Sequence, residues 1–310
     1  MYGAVMGLAG LGLAWRSATT LFPDMAGFAA VLAELWVALG IAALAVLVPA
    51  YVMKLARHPD AVCREFTDPA QLGFCGAMPV GLTLAAGGLA PYIPLIADVL
   101  WWSGAVLMLA FQVWAIQRWL SGGVDLAQVN GGWLIVVVGG VVVPGSGIAL
   151  GHPQMSLFLF GVSAAAAPFV MGLVFYRAVV GPPLPLALQP SPFILLVPPS
   201  LIYANGAALS GAPTGVFLNG LFYAALVLAV ALLMGARNFL GWPFGAPWWA
   251  FTFPLDALAA AAIHHARLHT AGPWTAIAAL ALLLATAAVL LVLAKTVSAF
   301  SRGTLFAAPA

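Results

Sequence analysis

Long apolar runs, each cut by glycine, proline or a charged residue, divide the 310-residue chain into ten segments. They lie near residues 2–18, 26–56, 71–90, 93–120, 132–150, 153–178, 190–209, 213–237, 247–268 and 273–300. A helix needs about 20 apolar residues to cross a bilayer, so each run reads as a transmembrane helix. The run from Ala276 to Ala294 is nearly all Ala, Leu and Val. It lacks the apolar/polar alternation of a transmembrane β-barrel. The pattern predicts an all-α integral membrane protein with a single transmembrane domain over residues 1–310.

Short connections such as Ala90-Pro91-Tyr92 and Gly211-Ala212-Pro213 pair successive segments into five helical hairpins. The odd segments begin near 71, 132, 190 and 247, a repeat of pattern without a residue-level repeat. They carry Pro79, Pro144, Pro198 with Pro199, and Pro254, whereas the even segments carry Pro49 and Pro168. A proline inside a helix removes a hydrogen bond and kinks the chain, and the carbonyls it frees must face protein or water, not lipid. Kinked odd helices are therefore expected to form an inner ring around a central pore, with the even helices outside. Gly7, Gly10 and Gly12, and Gly139, Gly140, Gly145 and Gly147, either allow close helix approach or leave a narrow channel unfilled.

Charge settles the class. Only 10 basic and 8 acidic side chains occur, 6% of the chain, against 64% hydrophobic residues. A soluble domain carries about 25% charged residues, so a soluble enzyme, a nucleic-acid binder and a disordered regulator are excluded. With ten spans, Lys54, Arg57, Arg64, Arg118, Arg177, Arg237, Lys295 and Arg302 fall on one side of the membrane, and Arg16 and Arg267 on the other. The positive-inside rule then puts both termini in the cytoplasm. An Ala-rich chain of this kind suits a bacterial inner membrane. No basic segment precedes the first apolar run, which is expected to remain as a span. Cys63 and Cys75 read as free thiols.

Ionisable groups inside a membrane are costly and suggest function. Glu34 and Asp98 lie within two to three turns of their span ends, where a carboxylate reaches the interface or a partner. Asp256 is deeper. It is either bonded to backbone freed by a proline kink or a proton-binding site. His264, His265, Arg267 and His269 crowd the end of the ninth segment. His265 and His269 share a helical face, but two histidines without further ligands do not make a zinc site. We expect no metal, no cofactor and a weakly basic mouth that gathers anions. No nucleotide-binding or hydrolase motif occurs.

Two stretches carry a family resemblance. Tyr2-Gly3-Ala4-Val5-Met6-Gly7-Leu8-Ala9-Gly10-Leu11-Gly12-Leu13-Ala14-Trp15, followed by Leu21-Phe22-Pro23, resembles the first span of the TehA family. That family includes bacterial tellurite-resistance proteins, fungal malate and sulfite transporters and plant guard-cell slow anion channels. Trp248-Trp249-Ala250-Phe251-Thr252-Phe253-Pro254 resembles the family's ninth span, where an aromatic residue blocks the pore. The resemblance implies a homotrimer with one pore per protomer, and makes Phe253 the blocking residue. Phe251 points about 200° around the helix and is the alternative in another register. Gly12, Pro79, Pro144, Pro198 and Pro254 become pore-lining or kink positions. Two departures stand out: Val5 occupies a position where the family pattern has proline, and Asp256 puts an acid beside the gate. A fixed negative charge there opposes anion passage unless it is neutral or paired.

The leading expectation is a gated anion channel or channel-like uniporter for small anions. The alternative is a proton-coupled carrier of organic acids or oxyanions such as dicarboxylate, sulfite or tellurite, using Asp256. A membrane enzyme built on His264 to His269 is a third and weaker reading.

Overall fold

The computed structural model describes residues 2–211, 214–235 and 244–303. Arg237, Trp242, the Ala212-Pro213 connection and the end of the eighth segment lie outside them. The described residues are helical and contain no strand. The helices are α1 (Gly3–Ala18), α2 (Ala26–Arg57), α3 (Pro59–Thr67), α4 (Pro69–Leu72), α5 (Ala77–Leu89), α6 (Pro94–Leu120), α7 (Leu134–Val142), α8 (Pro144–Gly147), α9 (Pro153–Val180), α10 (Val197–Ser210), α11 (Val216–Gly235), α12 (Thr252–Leu268) and α13 (Trp274–Ser301).

Among the described residues, seven segments are long and apolar enough to cross a membrane: Pro23–Arg57, Pro69–Leu89, Pro94–Leu120, Pro153–Val180, Leu186–Ser210, Val216–Gly235 and Trp274–Ser301. The apolar stretch Gly131–Gly147 is shorter. Helices α1 and α12 have 16 and 17 residues, about 24–26 Å at 1.5 Å per residue. Burial separates two groups. Only 17–39% of the most apolar windows of α2, α6, α9, α11 and α13 is buried, against 72% for Pro69–Leu89 and Leu186–Ser210. All nine residues of α7 are buried, as is most of α1 and α12. The first group offers apolar side chains to lipid, including Val31, Leu95, Phe169, Val227 and Leu283.

The buried helices touch one another in order. Helix α1 packs on α5 and α12, α5 on α7, α7 on α10, and α10 on α12. Among the lipid-exposed helices, each packs most extensively on one: α1 on α2, α5 on α6, α7 on α9, α10 on α11 and α12 on α13. Lipid tails are as apolar as leucine, so close packing rather than water exclusion holds such helices together. Glycine provides it. A Cβ on Gly7 would overlap Thr252 Oγ1 of α12, and one on Gly3 would lie 3.0 Å from Trp249 Cβ in the turn before it, so α1 rests directly on α12 and its entry turn. Gly12 faces Val37 and the Ala33 carbonyl of α2, Gly139 faces Met108 of α6, and Gly140 faces Ser163 of α9. These five glycines therefore serve close approach.

The prolines act differently from the kinks expected. Pro79, Pro198, Pro199 and Pro254 all sit in the first turn of an α-helix, where a missing N–H costs little. Before that turn comes a 3-10 turn: Gly73–Gly76, Ser191–Leu196 and Ala246–Phe251 respectively. Gly131–Trp133 leads into α7 in the same way. The repeat near every 60 residues is thus a repeated entry, 3-10 then α. Only Pro144 interrupts one of the buried spans, between α7 and α8. Two carbonyls at that break find side-chain donors: Asn205 Nδ2 to Val141 at 2.7 Å and Trp101 Nε1 to Val143 at 3.2 Å. Helix-interior prolines occur instead in the lipid-exposed α2 and α9, as Pro49 and Pro168. With Val5 fully buried, α1 runs unbroken.

The 57–70 stretch is more than a polar connection. His58-Pro59-Asp60 opens α3, with proline at its first position. Cys63 is exposed on it; Cys75 is half-buried, and both are free thiols.

Overfilling the α1–α12 contact should be costly. Gly7→Val is expected to lower stability by about 1–3 kcal/mol, whereas Gly172→Ala, with no atom within 4 Å of its Cβ position, should be neutral or stabilising. Thermal unfolding in detergent reads both.

Candidate functional site

On all five buried segments the middle is inaccessible. It runs over 5–12 on α1, 79–86 on α5, 131–144 through α7, 193–201 into α10 and 251–259 on α12. Beyond it, accessibility returns together. Leu13, Gly87, Ile202 and Ala260 are partly exposed, and Gly145 is exposed. Leu13, Gly87 and Gly145 lie close together, since a Cβ on Gly87 would lie 3.4 Å from Leu13 Cδ1 and 3.1 Å from Ser146 Cβ, and one on Gly145 would lie 3.8 Å from Asn205 Oδ1 of α10. Gly145 thus leaves space open, unlike the close-packed Gly139, Gly140 and Gly147.

Phe253, 5% exposed, belongs to the inaccessible middle. It lies in one apolar cluster with Ala9 of α1, Leu84 of α5, Val141 of α7 and Leu201 of α10. Phe251 belongs to a different cluster and lies 5.9 Å from Phe193 and 6.1 Å from Trp248, centroid to centroid. Two residues of register therefore separate a ring that faces α1 at Gly10 from a ring against the 191–196 turn.

Asp256 is one turn past Phe253 and fully buried, and neither of its oxygens meets a hydrogen-bond donor among the described residues. The expected bond to proline-freed backbone does not form. Pro254 lies in a first turn, where no internal bond is broken. A Cβ on Gly10 would approach Phe253 Cδ2 at 2.9 Å and Asp256 Oδ2 at 3.0 Å, so both side chains face α1 at one point. Gly12 turns away from this site toward α2. Pro79, Pro144, Pro198 and Pro254 are all buried near the starts of their helices, apart from Pro144 at the break.

The accessible end carries Arg16 and Arg267. Arg16 holds Glu34 through Nε (3.1 Å) and Nη2 (2.9 Å) and donates to the carbonyls of Gly87 (3.0 Å) and Gly88 (3.1 Å). One side chain thus ties α1, α2 and α5, and Glu34 has its partner. Arg267 donates to the Ser17 carbonyl and makes no ion pair among the described residues. Nearby, His265 is fully buried, accepts or donates at Nδ1 with Tyr203 at 2.8 Å, and stacks on Phe222 and His269 at 4.3 and 4.1 Å. No group of three or more metal-ligating side chains forms among the described residues. Asp98 pairs with His152, which stacks on Trp101.

Sequence reasoning missed Asn205 and the acceptors of Arg16. A proline in a buried span signals that some neighbour must bond the freed backbone, and Asn205 is a polar residue in an otherwise apolar run.

The profile of the voltage-dependent anion channel family SLAC1 matches residues 1–297. The chain belongs to this family. Among SLAC1-family relatives, it is 26% identical to the S-type anion channel SLAH3 of Arabidopsis thaliana over 86% of this chain and 42% of that one. It is 26% identical to the guard cell S-type anion channel SLAC1 of the same plant, over 83% and 47%. A tellurite resistance protein TehA homolog of Haemophilus influenzae is 27% identical over 53% and 50%. The chain spans about half the length of these relatives or less. Members of the SLAC1 family are anion channels and transporters rather than enzymes, and this chain is a multi-pass membrane protein.

Because Arg16 serves several acceptors, Arg16→Met should lower stability by about 1–2 kcal/mol. Glu34→Gln, which keeps an acceptor in place at a partly exposed pair, should cost well under that. Unfolding midpoints in detergent compare the two.

Proposed function

We propose that this protein is a gated passage for small anions, closed by Phe253. Ten spans would form five hairpins, with α1, α5, α7–α8, α10 and α12 around the path and α2, α6, α9, α11 and α13 outside. The observation that carries the reading is the placement of Phe253. It lies within the inaccessible middle of α12, in one apolar cluster with residues of the four other buried segments, and on each segment accessibility returns further along the chain, at Leu13, Gly87, Gly145, Ile202 and Ala260. The names of the relatives, which are anion channels, agree.

The mechanism follows from physical chemistry. An apolar ring in a narrow bore excludes water and therefore ions. Displacing it lets water connect the two ends. Among the described residues no Arg or Lys lines the middle, so ions would bind weakly there and leave readily, as conduction requires. At the mouth, Arg16 is neutralised by Glu34, while Arg267 keeps its charge and raises the local anion concentration. Both termini would face the cytoplasm, and a homotrimer would give each protomer its own path.

In planar bilayers, Phe253→Ala should raise chloride and nitrate current at least about tenfold over wild type, with anion selectivity. Phe251→Ala should leave current near the wild-type level. No current from folded, inserted Phe253→Ala would overturn the reading. Saturable uptake driven uphill by a pH gradient, with no channel current, would favour the proton-coupled carrier of organic acids or oxyanions.

A further inference from the structure

The unpartnered carboxyl beside the gate is an unusual group to keep. Buried carboxyls in proteins are bonded or paired; Asp256 is neither. The elements around it bring no counter-charge. Helix α1 carries one ionisable side chain, Arg16, which is taken up by Glu34 and two carbonyls. Helix α10 carries Tyr203, bonded to His265, and α11 carries Tyr223. Lys295 of α13 lies over Trp248, 5.0 Å from the ring centroid. Helices α5 and α7 and the turns at Ser191–Leu196 and Ala246–Phe251 carry none. On α12 itself His264, His265 and Arg267 lie two turns or more away, toward the accessible end. The closed packing therefore accommodates a neutral acid, because an ionised carboxylate needs donors or water around it. A displaced Phe253 would open the group to water, since both side chains meet α1 at Gly10.

We infer that Asp256 is a proton-binding selectivity switch beside the gate: protonated, it lets anions pass; ionised in the opened path, it repels them and admits cations. This deepens the reading of Phe253 as the closure and rests on it. The step is a simple proton exchange between the Asp256 carboxyl and water admitted on opening. A unit charge a few ångströms from the path changes ion occupancy by roughly tenfold or more. Nothing else in the inaccessible middle titrates, so the effect should belong to this residue.

The test uses the full-length protein with Phe253→Ala, which holds the path open. Scanned from about pH 3 to about pH 8.5, anion current should fall roughly tenfold as the carboxyl ionises, and the cation share should rise. Adding Asp256→Asn should hold current and selectivity at the acid values throughout. Current that is pH-independent with Asp256 present, or a pH profile that survives Asp256→Asn, overturns the switch and leaves the gate standing. Absence of current from folded Phe253→Ala overturns the gate, and the switch with it. Infrared spectroscopy of the closed wild-type protein supplies an independent reading. A protonated-carboxyl C=O band at neutral pH, absent in Asp256→Asn, is expected; its absence from wild type also overturns the proposal. Asp256→Glu, which keeps the titrating group, should restore pH dependence if Asp256→Asn proves poorly folded.

Discussion

The contact between α1 and α12 is the one on which the candidate site depends. It forms because Gly3, Gly7 and Gly10 present no side chain to Trp249, Thr252, Phe253 and Asp256. Between lipid-surrounded helices, attraction comes from packing rather than from water exclusion. A bare glycine face converts directly into close approach. That approach places the Phe253 ring and the Asp256 carboxyl against the same point of α1, and leaves the adjoining buried helices to complete the enclosure.

The second constraint is that backbone groups cannot go unbonded in an anhydrous layer. It explains where the prolines of the buried spans are. Four of them enter helices at the first turn, where no bond is forfeited. The one that breaks a buried span, Pro144, comes with Asn205 and Trp101 to serve the nearby carbonyls. The accessible Gly145 follows that break immediately, so the same irregularity opens the space beside Asn205. Arg16 extends the logic to the membrane boundary, spending its donors on a carboxylate and on the terminal carbonyls of α5.

Much of this architecture was legible in the chain. Apolar runs of helix-spanning length, and the family resemblance carried by the two stretches around Gly7 and Phe253, fixed the all-α membrane class. The details that escaped have a common cause: hydrophobicity varies too little along such runs to mark where a 3-10 turn gives way to an α-helix. Pro79, Pro198 and Pro254 therefore looked central when they are entry residues. The short α3 helix hid in a polar stretch too brief to show a period. The pairing of Arg16 with Glu34 joins residues on different helices, which no local pattern encodes. For Asp256, depth was readable from position, but the lack of any bonding partner required three dimensions.

The central proposal is that Phe253 separates the accessible surface at Gly145 from the opposite end of the molecule. Side-specific thiol labelling tests it directly, using Gly145→Cys in a Cys63→Ser, Cys75→Ser background with a membrane-impermeant reagent. With Phe253 present, labelling is predicted from one side of the membrane only. With Phe253→Ala, it is predicted from both. Labelling from both sides while Phe253 is in place, or from one side only after its removal, would contradict the account.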